Sequence, residues 1–458
     1  MNVNNGEFMK KFKLPENVIY ILKTLEDNGF EGYIVGGCVR DLLLDKNPND
    51  WDITTNALPV QLFEIFPKSV DIGANHGTVG VIFGSNDIVE VTTYRIDGDY
   101  TDNRRPDSVI FTPNLSADLA RRDFTINAMA YNENGGLVDL YDGIDDLRRG
   151  IIRCVGDANL RFREDALRML RAVRFAAQLG FEIEPKTYDA ICVNAQLIKN
   201  ISAERICAEL DKILLSDNPQ HLKTIVNTGL GEFVFPEFST CFATPQNTKY
   251  HIYNVGEHTL LAVENTPKQL NVRLAALLHD WGKPASRTTD EDGVDHFYGH
   301  GEVSVELARN FLNRLKYSNE IKDTVLPLVK YHDTQINPDK NAVKRAINKL
   351  QKHSEKVDDT LFLDLLDLKL ADTLAQNPEY SGERQKLATE LRGIYFEIKE
   401  NQEALKIANL AINGRDLMNL GVPEGKEIGE ILKKLLDAVI ENPKLNTKEK
   451  LLEQARLL

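Results

Sequence analysis

Residues 33–54 read Tyr-Ile-Val-Gly-Gly-Cys-Val-Arg-Asp-Leu-Leu-Leu-Asp-Lys-Asn-Pro-Asn-Asp-Trp-Asp-Ile-Thr and combine two local patterns. The first pattern predicts a short buried strand at 33–35, a tight turn at Gly36 and Gly37, and the start of a helix at 39–44. Glycines between a strand and a helix let the backbone approach a polyanion, and the helix N-terminus offers free N–H groups to phosphate. The turn is therefore a candidate phosphate site.

The second pattern places two aspartates after the helix. Residues 50–53, Asp-Trp-Asp-Ile, alternate polar and apolar as a half-buried strand does. Because side chains two apart on a strand point to one face, Asp50 and Asp52 are predicted to lie together, where only a cation such as Mg²⁺ would relieve their repulsion. A bare Asp-x-Asp is typical of a solvated turn. With Arg40, Asp41 and the glycine turn before it, the pattern favours phosphoryl or nucleotidyl transfer.

The length and composition are those of a globular protein with several domains. The chain has 458 residues, and its net charge of −14 argues against nonspecific coating of nucleic acid, although basic residues could still line one cleft. The sequence contains no apolar run of membrane-spanning length and no signal-peptide core, so no membrane partner is expected. The oligomeric state is left open. Five scattered cysteines indicate reduced thiols and a cytoplasmic location: Cys38, Cys154, Cys192, Cys207 and Cys241.

The predicted elements change character near Gly150. Short strands fill residues 30–140, and helical periodicity then continues to the end of the chain. A run of strands followed by a run of helices predicts the α+β class, with a compact head and a long helical remainder. The strands are expected at 79–83, 88–92, 109–111 and 137–139.

Two further blocks in the head carry charged side chains. Glu90 lies in a predicted strand, where it could be a third carboxylate beside the aspartate pair or could cap a sheet edge. Arg121, Arg122 and Asp123 precede an apolar helical face. Arginine forks match phosphate oxygens and an aspartate can accept from a ribose hydroxyl, although a structural ion-pair network would use the same residues.

The fourth block, residues 161–180, predicts one strong helix that Gly180 ends. Asp165, Arg168 and Arg171 follow one another at intervals of three, close enough to act together or to form ordinary helical ion pairs. The opposite face is apolar and is expected to be buried: Ala166, Leu170, Val173 and Ala177.

In this order the four blocks resemble the class II tRNA nucleotidyltransferase and bacterial poly(A) polymerase family, most closely its bacterial CCA-adding members. The resemblance implies a polymerase-beta-like nucleotidyltransferase head with a mixed sheet, followed by an all-α neck, body and tail. The implied domains are 1–150 for the head, 151–245 for a base-recognising neck, 246–385 for an HD-type domain, and 386–458 for a tail that binds tRNA.

The resemblance also implies catalytic and nucleotide-binding roles. Asp50 and Asp52 would hold Mg²⁺, and Glu90 would orient or deprotonate the attacking hydroxyl. Gly37 and Arg40 would contact the incoming nucleotide. Arg122, with Arg121 as an adjacent candidate, would bind its triphosphate, and Asp123 would bind its ribose.

Asp165 and Arg168 would read the base, with Arg171 and Arg174 in support. Cytosine and adenine both present an amino donor beside a ring-nitrogen acceptor, whereas guanine and uracil present a carbonyl beside an N–H. A carboxylate and a guanidinium can therefore accept C and A. G or U would leave buried groups unpaired, at about 1–3 kcal/mol each.

The helical half contains a histidine pattern that resembles HD-domain phosphohydrolases. Imidazoles combined with carboxylates suit a transition metal or Mg²⁺. An inherited scaffold that supports RNA without catalysis is the alternative. His251 and His353 fall outside the pattern and are expected to be ordinary. The resemblance implies a first metal set of His258, His279, Asp280 and Asp372, with His300 and His332 available to a second divalent ion.

The leading hypothesis is untemplated addition of CCA to the tRNA 3′ end from CTP and ATP, with two Mg²⁺ ions and release of pyrophosphate. The family resemblance implies that a CC-only enzyme would lack the segment at 97–106, which is complete here, so a CC-only enzyme is disfavoured. The absence of a long basic C-terminal extension disfavours a poly(A) polymerase. Addition of A alone stays open. A different class would be a metal-dependent phosphohydrolase that acts through the HD half.

Overall fold

The computed structural model describes residues 11–84, 87–98, 108–351, 359–401 and 403–458. The chain forms two compact units, Met1–Val234 and Phe235–Leu458. The finer division at 150, 245 and 385 stays a prediction. Most of the segment at 97–106, and His353, lie outside the described residues.

The first unit contains the sheet predicted for the head. Its strands are β1 (Gly32–Val35), β2 (Asp52–Thr55), β3 (Ser69–Gly73), β4 (Thr78–Phe83), β5 (Asp87–Thr93), β6 (Arg95–Asp97), β7 (Val109–Phe111), β8 (Met129–Asn132), β9 (Gly136–Asp139), β10 (Ile151–Ile152) and β11 (Glu182–Ile183). The main sheet has the order β3-β4-β5-β2-β1-β8-β9. Among the described residues of this sheet, only β2 and β5 pair in parallel, so the sheet is mixed. The expected strands at 79–83, 88–92, 109–111 and 137–139 are confirmed, with 109–111 in a separate two-stranded sheet.

Helices pack on both faces of this sheet. The helices of the first unit are α1 (Glu16–Asp27), α2 (Gly37–Leu43), α3 (Pro59–Ile65), α4 (Leu115–Ala120), α5 (Gly143–Arg149), α6 (Ala158–Glu164), α7 (Leu167–Leu179), α8 (Pro185–Asn194), α9 (Ala203–Leu214), α10 (Leu222–Asn227) and α11 (Gly231–Val234). Alternate strand residues such as Ile53, Val79 and Val91 are fully buried in one core with Val18 and Ile21 of α1. The period-2 pattern turns the intervening strand residues to the opposite face, where Val35 and Ala130 form a smaller apolar cluster with Leu119 of α4.

The prediction of one continuous helix at 161–180 is wrong, because the structure has two helices there. α6 ends at Glu164 and α7 begins at Leu167, with Asp165 in an extended conformation between them. The Asp165 carboxylate accepts a hydrogen bond from the Leu167 N–H at 3.0 Å. A short polar side chain that bonds the backbone locally competes with helical pairing. Gly180 ends α7 at φ +71°, as predicted, and the expected apolar face is buried.

The second unit is almost entirely helical. It contains α12 (Pro236–Cys241), α13 (Val255–Asn265), α14 (Leu270–Leu278), α15 (Lys283–Ser286), α16 (His300–Arg314), α17 (Asn319–Tyr331), α18 (Lys340–Gln351), α19 (Leu361–Leu374), α20 (Pro378–Glu400), α21 (Gly414–Met418), α22 (Lys426–Glu441), α23 (Lys448–Ala455) and the short strands β12 (Thr288–Thr289) and β13 (Asp295–His296). Among the described residues, no helix combines the length and the apolar character needed to cross a membrane.

Candidate functional site

Asp52 and Glu90 lie side by side on the face of the sheet opposite the main core. Asp52, the first residue of β2, pairs in register with Glu90 on the parallel strand β5. The predicted strand position of Asp50 is wrong, because the turn after Pro48 continues through residues 49–50 and pairing starts at Asp52. Asp50 nevertheless stays close enough for its charge to affect both other carboxylates.

The three acids form a negatively charged cluster, in which Arg122 is the basic group that acts on Asp52. Burial raises the pKa of Asp52, Arg122 opposes this shift, and Asp50 adds to it. Burial raises the pKa of Glu90, and the charges of Asp52 and Asp50 raise it further. Within the described part of the chain, none of the three forms an ion pair within 4 Å. Clustered carboxylates without a direct ion pair fit a divalent cation.

The glycine turn between β1 and α2 brings the backbone close to an arginine. Gly36 has φ +82°, and a Cβ built there would lie 3.0 Å from Nη1 of Arg122, so a side chain would meet both strain and a guanidinium group. Gly37 begins α2. One turn further along, Nη1 of Arg40 donates to Oδ1 of Asn127 at 2.8 Å. Two guanidinium groups thus flank a helix N-terminus, as a phosphate site requires.

A fully buried aspartate orders the predicted arginine pair. Asp118 accepts from Nη2 of Arg121 at 2.7 Å and from Nη2 of Arg122 at 3.4 Å. Burial alone would raise the pKa of Asp118, but the two arginines lower it. The ion-pair network considered as an alternative is therefore present. It does not use up the arginines, because each guanidinium has five N–H donors.

Arg171 on α7 keeps the Asp123 side chain negatively charged. Nε and Nη2 of Arg171 both donate to its Oδ2, at 2.8 and 2.6 Å. Burial would raise the pKa of Asp123, but Arg171 outweighs it and lowers the pKa to about 2. The carboxylate is therefore charged near neutral pH, as a ribose acceptor would need to be.

The predicted base-reading pair does not form a direct ion pair. Asp165 pairs instead with Nη2 of Arg205 on α9 at 2.8 Å. Nη1 of Arg168 donates to Glu164 at 2.6 Å, and its Nη2 donates to the carbonyl of Arg121 at 3.0 Å. Arg174 likewise pairs with another residue, Glu209, at 2.6 Å.

One open cavity of ≈ 380 Å³ connects these groups. Asp52 and the arginines of α7 both line it, so the aspartate strand and the arginine-bearing helix share a single space. Six guanidinium groups line the cavity and make it a site for a polyanion. The cavity is lined by Asp52, Arg121, Arg122, Asp123, Asp165, Arg168, Arg171 and Arg205, among others.

Sequence reasoning missed two side chains of this cavity. Arg205 follows α7 by some thirty residues, in a segment without a recognised pattern. Arg95 also lines the cavity, and its Nε donates to Asp97 at 3.1 Å. The sequence does contain one signal for Arg205, because Glu209 follows it by four residues on the predicted helix, a spacing typical of paired charges. In the structure, Glu209 pairs with Arg174.

In the second unit, four histidines turn their Nε2 atoms to one carboxylate. The Nδ1 atoms of His258, His279, His300 and His332 lie 3.2, 2.7, 2.8 and 2.7 Å from backbone carbonyl oxygens. A histidine whose Nδ1–H bonds to a carbonyl presents an unprotonated Nε2, which is how metal-binding imidazoles are usually oriented.

Asp280 is the centre of this cluster. Its Oδ2 lies 3.4 Å from Nε2 of His258 and 3.2 Å from Nε2 of His279, and its Oδ1 lies 3.5 and 3.7 Å from those of His300 and His332. The Nε2 atoms of His258 and His279 are buried without a hydrogen-bond partner in the described chain. The structure therefore forms two potential metal-ligand groups that share Asp280.

The fourth predicted ligand joins the first group. Oδ1 of Asp372 lies 2.9 Å from Nε2 of His258. Burial would raise the pKa of Asp372, but the two histidines of that group lower it well below its ordinary value. His251, expected to be ordinary, packs its ring edge-on against His258 at 5.0 Å, and burial lowers its pKa to about 3.

Family models match three parts of the chain. The poly A polymerase head domain matches residues 32–153, the probable RNA and SrmB-binding site of polymerase A matches 180–242, and the HD domain matches 248–377. A CCA-adding enzyme of Limosilactobacillus fermentum is 36% identical over 440 residues, which are 95% of this chain and 95% of the relative. The chain belongs to the CCA-adding enzyme family.

Two other CCA-adding enzymes align with this chain over different lengths, and one solved structure is similar to it. The CCA-adding enzyme of Lactiplantibacillus plantarum is 34% identical over 96% of this chain and 95% of its own. The enzyme of Lactobacillus helveticus is 51% identical over 235 residues, so that alignment spans 50% of this chain and 58% of the relative. The crystal structure of the Bacillus stearothermophilus CCA-adding enzyme in complex with CTP is similar, with a TM-score of 0.69, 29% identity, and coverage of 96% of this chain and 97% of that one.

Proposed function

We propose that this protein adds C, C and A to the 3′ end of tRNA, using CTP and ATP and releasing pyrophosphate. The observation that carries the proposal is that Asp52 and the arginines of α7 line the same cavity. A reaction that joins a triphosphate to a hydroxyl needs acids for a cation and arginines for phosphate oxygens in one space. Family relatives named CCA-adding enzymes, and a neighbouring structure with CTP, support this assignment.

The clustered carboxylates would hold the divalent ions of the reaction, for which we propose Mg²⁺. Asp50 and Asp52 are the ligands, because they share one negative site and neither forms a direct ion pair with a described residue. Bound Mg²⁺ would supply Lewis-acid activation of the RNA 3′-hydroxyl and would neutralise charge on the triphosphate. Glu90 lies next to Asp52, and its raised pKa suits it to orient the hydroxyl or accept its proton at a carboxylate oxygen.

The arginines and the glycine turn would hold the nucleotide. Gly37 and Arg40 lie at the N-terminus of α2, where free N–H groups favour a phosphate. Arg121 and Arg122, kept in place by Asp118, would bind the triphosphate oxygens. Asp123, charged and oriented by Arg171, would accept a hydrogen bond from the ribose.

Base selection would require Asp165 and Arg168 to exchange partners. Both side chains line the cavity, but Asp165 is held by Arg205 and Arg168 by Glu164. An incoming C or A offers an amino donor to the carboxylate and a ring nitrogen to the guanidinium, which replaces both bonds. Arg171 and Arg174 lie on the same helix and supply neighbouring positive charge. Selectivity then follows from the cost of leaving either partner unpaired.

The deciding experiment uses tRNA that ends before CCA, after the first C, or after the second C. Each acceptor is incubated with CTP alone, ATP alone, or both. The proposal expects C on the first two acceptors and A on the third, with pyrophosphate released once per addition. Incorporation of A alone would establish the A-adding alternative, and long A tracts on unrelated RNA would establish a poly(A) polymerase.

The five described cysteines are free thiols, which supports a cytoplasmic location.

The histidine cluster supports a second activity, metal-dependent phosphohydrolysis by the HD half. The buried, unpartnered Nε2 atoms of His258 and His279, with Asp280 between them, fit a divalent metal. Lys283 lies 2.6 Å from Asp280 and would place positive charge beside a substrate phosphate. Hydrolysis of p-nitrophenyl phosphate or bis-p-nitrophenyl phosphate that depends on added Mn²⁺, Co²⁺, Ni²⁺ or Mg²⁺ tests this activity. Its loss in Asp280→Asn, with CCA addition unchanged, is expected.

A further inference from the structure

The residues beside Glu90 on the open sheet face form an apolar surface. The register of the strands aligns Val70, Gly80, Glu90 and Asp52 in one row across β3, β4, β5 and β2. Neighbouring strands are about 4.8 Å apart, so Gly80 lies one strand from Glu90 and two strands from Asp52. The acids and the apolar residues are therefore parts of one continuous surface.

Two isoleucines cover the position that Gly80 leaves open. A Cβ on Gly80 would lie 2.4 Å from Cδ1 of Ile72 and 2.8 Å from Cγ2 of Ile88, so the glycine lets both side chains close over the sheet. Each isoleucine remains 48% exposed, and Val70 is 39% exposed. β-branched side chains fit a strand, but these three lie outside both apolar clusters of the sheet, and neighbouring exposed apolar side chains mark a contact surface. We call Val70, Ile72, Gly80 and Ile88 the apolar strip.

The geometry of the proposed reaction determines what this strip faces. Attack and departure at the α-phosphorus are roughly in line, so the RNA hydroxyl must approach from the side opposite the leaving pyrophosphate. The arginine cavity includes Asp52 but not Glu90 or the strip. The triphosphate therefore belongs to the arginine side of the acids, and the RNA end belongs to the side where the strip lies.

We infer that the apolar strip binds the 3′-terminal nucleotide of the tRNA acceptor, through its ribose and the face of its base. This inference rests on the proposed CCA addition. The last nucleotide of the acceptor differs between steps, first whichever nucleotide precedes CCA and then C. A surface that must accept each of them cannot read hydrogen-bonding edges, whereas apolar contact with a base face is independent of sequence. The strip has the chemistry that this requirement imposes.

The test compares the double variant Ile72→Ser/Ile88→Ser with the wild type on the three acceptors. We expect the KM for tRNA to rise about five- to tenfold on each of them, since base stacking contributes that order of affinity. We expect kcat, the KM for CTP and the preference for C and A over G and U to change less than about twofold. Val60→Ser, at a 68% exposed position on α3, is the matched control and should behave as the wild type.

Two further measurements keep a folding defect apart from a binding defect. Ile72→Val/Ile88→Val keeps an apolar surface and should restore the KM for tRNA, and the thermal midpoints of all variants are compared. The inference is overturned if the serine variant keeps the wild-type KM, loses affinity for one acceptor only, or raises the KM for CTP equally. It is also overturned if the only change is in elution volume, because the strip would then join two copies of the chain. Failure of the wild type to extend any acceptor would refute CCA addition itself.

Discussion

Asp52 and Glu90 occupy directly paired positions on β2 and β5, the only parallel pair of the main sheet within the described residues. A parallel pair brings the same ends of two strands together. One carboxylate from each strand therefore reaches the same point of the open face. Burial raises the pKa of Glu90, and the charges of Asp52 and Asp50 raise it further, because each acid increases the free energy needed to ionise its neighbour.

Asp52→Asn should abolish nucleotide addition while leaving the protein folded. The amide removes a charge needed to hold Mg²⁺, and we expect incorporation of CTP to fall by about a thousandfold or more. In the absence of metal the same change relieves repulsion within the acid cluster, so the thermal midpoint should stay or rise slightly. The matched control is Asp145→Asn, where an exposed aspartate makes only a surface ion pair with Arg149. Full activity of Asp52→Asn would remove this residue from the reaction.

Asp123→Asn should destabilise the head in a pH-dependent way. The folded pKa of Asp123 is about 2, below the ordinary value of 3.8, so ionisation of the group favours the folded state. The wild type should be more stable than the variant by about 2 kcal/mol above pH 5, and the difference should shrink as the pH falls towards 2. Urea unfolding at pH 7, 5, 4 and 3 measures it. A difference that stays constant across this range would show that the Arg171 pair does not act through charge.

The local motifs of the head could be predicted because each lies within a few residues. Gly36 and Gly37 identify their turn, and the acid pattern identifies the carboxylate cluster, although not the residue at which β2 begins. The partners of Asp165 and Asp123 could not be predicted. They are Arg205 and Arg171, 40 and 48 residues away, and the choice depends on how α7 packs against α9 and the head. The break at Asp165 was also missed, because helical periodicity does not report a side chain that bonds to the backbone.

Arg205→Ala should reduce the selectivity for C and A without abolishing addition. Arg205 holds Asp165 at 2.8 Å, and Asp165 also accepts from the Leu167 N–H, so the arginine restrains the orientation of the carboxylate. We expect the ratio of kcat/KM for CTP to that for UTP to fall about tenfold, as one unpaired buried group is worth about 1–3 kcal/mol. Arg149→Ala, which removes an exposed arginine, is the control. An unchanged ratio, with an equal loss for every nucleotide, would assign Arg205 to folding alone.

Metal binding by the histidine cluster should be separable from CCA addition. A divalent ion at 100 times its dissociation constant should stabilise the second unit by about 2.7 kcal/mol, measured as a rise in the thermal midpoint after treatment with a chelator and titration with Mn²⁺ or Ni²⁺. His279→Ala should remove this rise, because its Nε2 is one of the unpartnered ligand atoms around Asp280. His296→Ala is the matched control, since that half-exposed imidazole bonds to Asp290 instead. Incorporation of CTP should be the same in both variants. If the metal still raises the thermal midpoint of His279→Ala, the ion binds elsewhere. If His279→Ala also loses CTP incorporation, the cluster supports the transfer reaction instead of acting alone.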